Sequence, residues 1–137
     1  MLSGWGWRYR NGVAEFHHAL DFAGEFTVLA AGDGHVQQNY WSDLFGWTVV
    51  IQHTRTLRTR YAHGARQSPR RVRSKITAGD PIYTSGSTGA STGKHLHFEV
   101  WVWTLTKGWH RVDPTPYLTA PKPPTNTLER KRRTWLG

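Results

Sequence analysis

A chain of 137 residues without a cysteine has room for one domain with a modest core. It can build no disulfide, thiolate metal site or cysteine nucleophile, so any metal must be held by His, Asp or Glu. Its net charge of +9 is segregated: Arg66, Arg70, Arg71, Arg73 and Lys75 supply +5, residues 119–137 supply +4, and the rest of the chain is neutral.

In chain order, the first ten residues carry Trp and Gly but no continuous apolar run of the kind a secretory signal requires, so no signal peptide is expected. No later apolar run is long enough to span a bilayer, so no transmembrane segment is expected either. Short runs of β-branched and aromatic residues then recur between Gly, Asn, Asp and Ser, at residues 26–30, 35–41, 47–53, 57–63, 81–84 and 95–103. This pattern predicts an all-β fold of two antiparallel layers, sandwich-like, with no stretch of helical period. Ala31-Gly32-Asp33-Gly34 reads as a hairpin turn, since Asp-Gly supports positive φ between strands. Asp113-Pro114 marks a turn near the end of the folded body. The chain therefore divides into a folded domain at 1–118 and a Pro-rich, basic tail at 119–137. Trp5, Trp7, Trp41, Trp47, Trp101, Trp103 and Trp109 are expected mostly to pack in the core and at edges.

The last predicted strand carries the most chemistry. Alternate side chains of a strand share a face, so His95, His97 and Glu99 project to one side while Leu96, Phe98 and Val100 enter an apolar layer. Upstream, His17 and Asp21 are four residues apart, an even spacing that places both on one side of an extended segment. Two imidazole nitrogens and one carboxylate oxygen suit zinc, and three protein ligands leave a fourth position for water, the mark of a catalytic site. The Gly/Ser-rich run before His95 is not a phosphate loop, because G-x-x-x-x-G-K-[ST] would need glycine at Thr88 and Ser or Thr at His95. His18, His35, His53 and His110 read as structural or surface residues.

With these pieces in view, the sequence resembles the lysostaphin-like, LytM-type zinc endopeptidases of bacterial peptidoglycan. The likeness begins at Gly6-Trp7-Arg8 and continues through His17 to Asp21, Ala30 to Val36, Val49 to His53 and Thr59-Arg60-Tyr61-Ala62-His63. It runs on through the block from Gly86 to Glu99 and closes at Val112-Asp113-Pro114 and Tyr117-Leu118. The resemblance implies that His17, Asp21 and His97 are zinc ligands and that His63 and His95 are the catalytic histidines, in long loops around a zinc groove. One of the two would accept the water proton while the other steadies the oxyanion. Ala19 stands where the family has glycine, a small change that leaves both flanking ligands. The basic run from Gln67 to Lys75 replaces a short hydrophobic connection near the substrate groove, and Tyr9 is the nearest candidate for an upstream tyrosine at the reacting carbonyl.

The resemblance implies hydrolysis of peptidoglycan stem or cross-bridge peptides by a monomer. The basic segments would attach to anionic wall polymers or lipopolysaccharide, and no specific nucleic-acid partner is expected. A wall-cutting enzyme without an export signal reads as a phage endolysin, an antimicrobial agent made in the host cytoplasm and released through a holin, or as a virion-associated lysin. The competing reading is a catalytically silent relative that binds wall or activates another hydrolase.

Overall fold

The computed structural model describes residues 3–118, and nearly all of its regular structure is strand. In chain order these are β1 (Gly6–Arg10), β2 (Val13–His17), β3 (Leu20–Ala23), β4 (Thr27–Leu29), β5 (Gly34–Ser42), β6 (Gly46–Thr54), β7 (Leu57–Gly64), β8 (Lys75–Ile76), β9 (Pro81–Thr84), β10 (His95–Thr104) and β11 (Gly108–Val112). A 3-10 turn follows at Thr115–Leu118. The all-β antiparallel architecture expected from the spacing of apolar runs is the one the chain adopts. The predicted tail at 119–137 lies outside the described residues.

The larger sheet has the order β11-β10-β7-β6-β5-β8, and every paired neighbour is antiparallel. One edge of β10 is shared: β3 pairs with its first half, from His95 to Phe98, and β11 with its second, from Val100 to Thr104. The sequence of β10 explains its central place, because Leu96, Phe98 and Val100 alternate onto the buried face. There they join Val36, Val49, Ile51 and Tyr61. Val28, Ile82 and Tyr83 from the two-stranded β4–β9 sheet complete this core as a second layer. Each such side chain contributes about 1.5–3 kcal/mol relative to exposure.

Two glycines bring the site's walls together. Gly46 adopts φ +64°, and a Cβ there would lie 2.2 Å from Thr88 Oγ1, while one on Gly89 would lie 2.3 Å from Gly46 N. The loop leading into β10 therefore packs backbone to backbone on the β5–β6 turn, an approach only glycine permits.

Three expectations are corrected. Ala31-Gly32-Asp33-Gly34 is no hairpin turn, since β4 pairs with β9 while β5 pairs with β6 and β8, so this segment crosses between layers. Strands β1, β2, β3, β8 and β11 lie outside the predicted runs; they are at most five residues long and do not alternate apolar buried with polar exposed positions, so hydrophobic alternation does not mark them. The tryptophans do not fill the core: Trp7 is 76% exposed, Trp41 and Trp103 are exposed, and Trp5, Trp47, Trp101 and Trp109 are half-buried.

Candidate metal centre

β2 and β3 are not one extended segment, as the even spacing suggested, because the run breaks at His18 and Ala19. Along an unbroken strand the Cα atoms of His17 and Asp21 would stand ~13 Å apart, too far for their side chains to meet. The break, with Ala19 fully buried, brings His17 Nε2 to 3.3 Å from Asp21 Oδ2. Asp21 is in turn the register partner of His97 across β3 and β10, and His97 Nδ1 lies 3.0 Å from Asp21 Oδ1. One ligand atom from each of His17, Asp21 and His97 falls within 4.8 Å of the others.

Each inward-facing ring is held by its other nitrogen. His17 Nδ1 donates to the Gly4 carbonyl at 2.8 Å, His63 Nδ1 to the Thr88 carbonyl at 2.7 Å, and His95 Nδ1 to the Gly93 carbonyl at 2.8 Å. His97 uses the opposite atom, with Nε2–H donating to Glu99 Oε2 at 2.9 Å. Carbonyl and carboxylate oxygens only accept, so in each neutral ring the remaining nitrogen is a lone pair. For His17 that is Nε2, which is buried and has no hydrogen-bond partner.

Lone pairs of His17 and His97 thus converge on a carboxylate, an arrangement that demands positive charge between them. A proton on His97 or a bound cation supplies it. Two imidazoles and a carboxylate are a donor set that suits zinc, and each imidazole nitrogen lies 3.0–3.3 Å from one Asp21 oxygen, close to the roughly 3.4 Å between tetrahedral N and O ligands at ~2.1 Å.

The electrostatics follow from the same contacts. Burial alone would raise the Asp21 carboxyl, but the His17 and His97 imidazoles at 3.3 and 3.0 Å, which stabilise the anion once either ring carries a second proton, outweigh it and hold Asp21 well below the usual carboxylate range. Burial would likewise raise Glu99, yet His97 and the Arg60 guanidinium, 2.7 Å away, hold it down at about 2. Burial would lower His97, while Asp21 and Glu99 on its two sides raise it above the ordinary histidine value. His63 is pushed down to about 4, chiefly by burial and against its bond to Thr88. It stays neutral at neutral pH.

His63 also has φ +64°, a left-handed backbone that costs a non-glycine residue of order 1–3 kcal/mol. Three bonds hold it there: His63 N–H to the Phe45 carbonyl, Gly86 N–H to the His63 carbonyl, and the ring to Thr88. The His63 and His95 rings lie 4.7 Å apart, and His95 Nε2 is 3.8 Å from Asp21 Oδ1. All five predicted site residues therefore meet, and Asp21, His63, His95 and His97 line an open cavity of about 650 Å³.

Other expectations sort differently. Tyr9 and Arg10 lie at the rim of that cavity with Leu44 and residues 90–94, whereas none of residues 66–75 lines it, so the basic run does not form the groove's rim. His18 packs among Trp5 and Phe16, His53 bonds to Asp33 and Thr59, and His110 bonds to the Gly108 carbonyl, each apart from the centre.

Some contributors carried no clear sequence signal. Arg8 Nη1 reaches Asp21 Oδ2 at 3.4 Å while its Nε holds Glu15 at 2.8 Å. Arg60 orients Glu99 from 39 positions away. By contrast, Gly89-Ala90-Ser91-Thr92-Gly93 does carry a sequence signal, the G-x-S-x-G spacing of a serine nucleophile elbow, and Ser91 Oγ lies 3.2 Å from His95 Nδ1. That nitrogen already donates to Gly93, so it cannot take the hydroxyl proton, and the loop leads into a strand rather than a helix.

Comparison with known proteins places the chain in a family and a fold. Residues 15–114 match the sequence profile of Peptidase family M23. Peptidoglycan DD-endopeptidase ShyA of Vibrio cholerae is 39% identical over 86 residues, 61% of this chain and 20% of that protein. Peptidoglycan DD-endopeptidase ShyC of the same organism is 33% identical over 102 residues, 73% of this chain and 22% of that protein. The chain thus spans about a fifth of the length of these curated relatives. Among solved structures, the catalytic domain of lysostaphin from Staphylococcus simulans superposes with a TM-score of 0.73 at 28% identity, covering 86% of this chain and 90% of that one. The catalytic domain of a prophage-encoded M23 protein, EnpA, from Enterococcus faecalis gives 0.70 at 28% identity, covering 85% and 88%.

Proposed function

This chain belongs to peptidase family M23, and from that premise we propose that it is a zinc-dependent endopeptidase hydrolysing the peptide cross-links of bacterial peptidoglycan. The observation that carries the reading is the convergence of the His17 Nε2 and His97 Nδ1 lone pairs on the Asp21 carboxylate. The names of the DD-endopeptidase relatives support the substrate class.

His17, Asp21 and His97 would hold the ion, and the chemistry supplied there would be Lewis acidity toward the scissile carbonyl and a pKa of water lowered toward ~7. The chain's own groups do the rest. His63 Nε2 and His95 Nε2 divide two tasks, accepting the proton of the attacking water and steadying charge on the carbonyl oxygen. The neutrality of His63 suits it to either. Glu99, locked by Arg60 and by Trp101 Nε1 at 2.7 Å, keeps the His97 ring turned so that Nδ1 faces inward. The test is mass spectrometry of fragments released from purified peptidoglycan. Cleaved cross-links that vanish with chelator and return with zinc support the reading, and intact cross-links under zinc overturn it.

The same reading makes residues 1–118 the catalytic domain and 119–137 a wall-attaching tail, in a monomer that acts on the wall as a phage endolysin or virion-associated lysin. The likeness to a prophage-encoded protein supports the origin. The 66–75 loop would share in attachment to anionic wall polymers or lipopolysaccharide. It is an ordered cationic surface: Asn39 Nδ2 donates to the Ser68 and Arg70 carbonyls, and Ser68 Oγ to the Ile82 carbonyl. Wall binding that is insensitive to salt would sink this attachment.

A further inference from the structure

The face of the large sheet that carries His95 and His97 continues along β10 through Glu99 to Trp101, and onto β11 through Trp109 and Arg111. Here a second cavity, of about 500 Å³, lies outside the metal centre. Its floor is Trp101 and Trp109, and its far wall is Trp5, Phe16 and His18, whose rings pack on one another at 4.6–5.3 Å. The Arg58 guanidinium stacks 3.8 Å from the Trp109 ring centroid and fixes its plane. Lys107 and Arg111 stand at the rim. Among the described residues Lys107 has no carboxylate partner, and Arg111 has only Glu99 at 3.6 Å.

Flat aromatic faces with cationic donors around them select a ligand. A cation is repelled, and a purely aliphatic chain leaves the rim donors unused. A pyranose offers an apolar ring face to stack on indole, and its hydroxyls, acetamido carbonyl or free carboxylate accept from Lys107 and Arg111. Resting on the peptidoglycan reading above, we propose that this cavity is a subsite for an N-acetylated amino sugar of the glycan strand.

Two observations tie it to the metal centre. Trp101 and His97 are four residues apart on one strand face, ~13 Å, the span of about four residues of extended peptide. A sugar seated on Trp101 would then stand about one stem peptide away from the bond being cut. The two sites are also bridged by one carboxylate, since Glu99 accepts from Trp101 Nε1 and from His97 Nε2.

The test titrates the full chain, zinc-loaded and metal-free, with a peptide-free N-acetylglucosamine tetrasaccharide, reading tryptophan indole shifts by NMR. Binding with shifts at Trp101 and Trp109 is expected in both forms, weakened about three- to tenfold in Trp109→Ala. Lys107→Glu, an exposed rim substitution that does not disturb packing, is expected to weaken it as well. No saturable binding, binding untouched by both variants, or tighter binding of a thymidine oligonucleotide overturns the proposal. KM measured on glycan-linked and on glycan-free cross-linked peptide is expected to be lower for the former at similar kcat. If the protein binds saccharide yet cleaves neither substrate, the endopeptidase reading fails and the sugar site stands.

Discussion

His17 Nε2 and Asp21 Oδ2 face each other at 3.3 Å, although the ring's proton sits on the far nitrogen, against the Gly4 carbonyl. Two acceptors aimed at one another are unfavourable until something positive lies between them. This contact makes the centre more than a cluster of polar residues, and the first prediction concerns it.

Asp21→Asn replaces a ligand oxygen with an amide that can donate to the facing nitrogen. Zinc affinity, read by competition with a chromophoric chelator, is expected to drop by more than the roughly 10–100-fold that losses around a ligand cause. Because the folded state lowers the Asp21 carboxyl and Arg8 pairs with it, the melting temperature of chelator-treated protein at pH 8 is expected to fall as well. Zinc affinity equal to the wild type's would remove Asp21 from the ligand set.

Glu99→Gln keeps the shape but removes the charge that Arg60 and His97 share. Zinc affinity should weaken about 10–100-fold, with the ring of His97 less firmly oriented. The pH dependence has a definite sign. The Glu99 carboxyl is lowered from 4.5 to about 2, so its stabilisation is present above pH 4.5 and is lost as pH falls toward 2. Acid denaturation followed by circular dichroism is expected to be shallower across that window in the variant. An unchanged acid limb would remove Glu99 from the account.

His63→Ala and His95→Ala are expected to reduce kcat by about 10²–10⁴ while zinc content by elemental analysis stays at the wild-type level. Loss of zinc in either variant would move that residue from the catalytic group to the ligands. Because His63 occupies a left-handed backbone, His63→Gly should also match or exceed His63→Ala in stability.

Tyr61 is buried, and burial pushes its hydroxyl up to about 12 against the bonds from Thr59 and the Ala31 N–H. Its unfolded-state value is 10, so the stabilisation is complete below pH 10 and disappears as pH rises toward 12. Tyr61→Phe leaves the buried Ala31 N–H without its acceptor and is expected to cost about 1–3 kcal/mol at pH 7 by urea denaturation. Its alkaline limb should be flatter than the wild type's. An equally steep limb would place the alkaline transition on another group, such as Tyr83.

Much of the site was legible because strand periodicity is local. The alternation of His95, His97 and Glu99 against Leu96, Phe98 and Val100 follows from the backbone geometry of six consecutive residues, so the chemical and structural faces of β10 could be read before any contact was known. The same rule misled at His17 and Asp21, where even spacing suggested one strand and the chain instead breaks at a buried Ala19. It also missed β1 and β11, whose residues are exposed or half-buried on both sides and carry no alternation.

The available chemistry was already written in the composition: with no cysteine, any metal centre had to be built from imidazole and carboxylate. Tertiary structure alone decided which atom of each ring faces inward, since that depends on where Gly4, Thr88, Gly93 and Glu99 place an acceptor for the other nitrogen. It also decided that Arg60 would clamp Glu99 and that His63 would be held left-handed between Phe45 and Gly86. Side-chain type is written residue by residue, whereas the direction of a lone pair is set by neighbours brought near only when the strands pair.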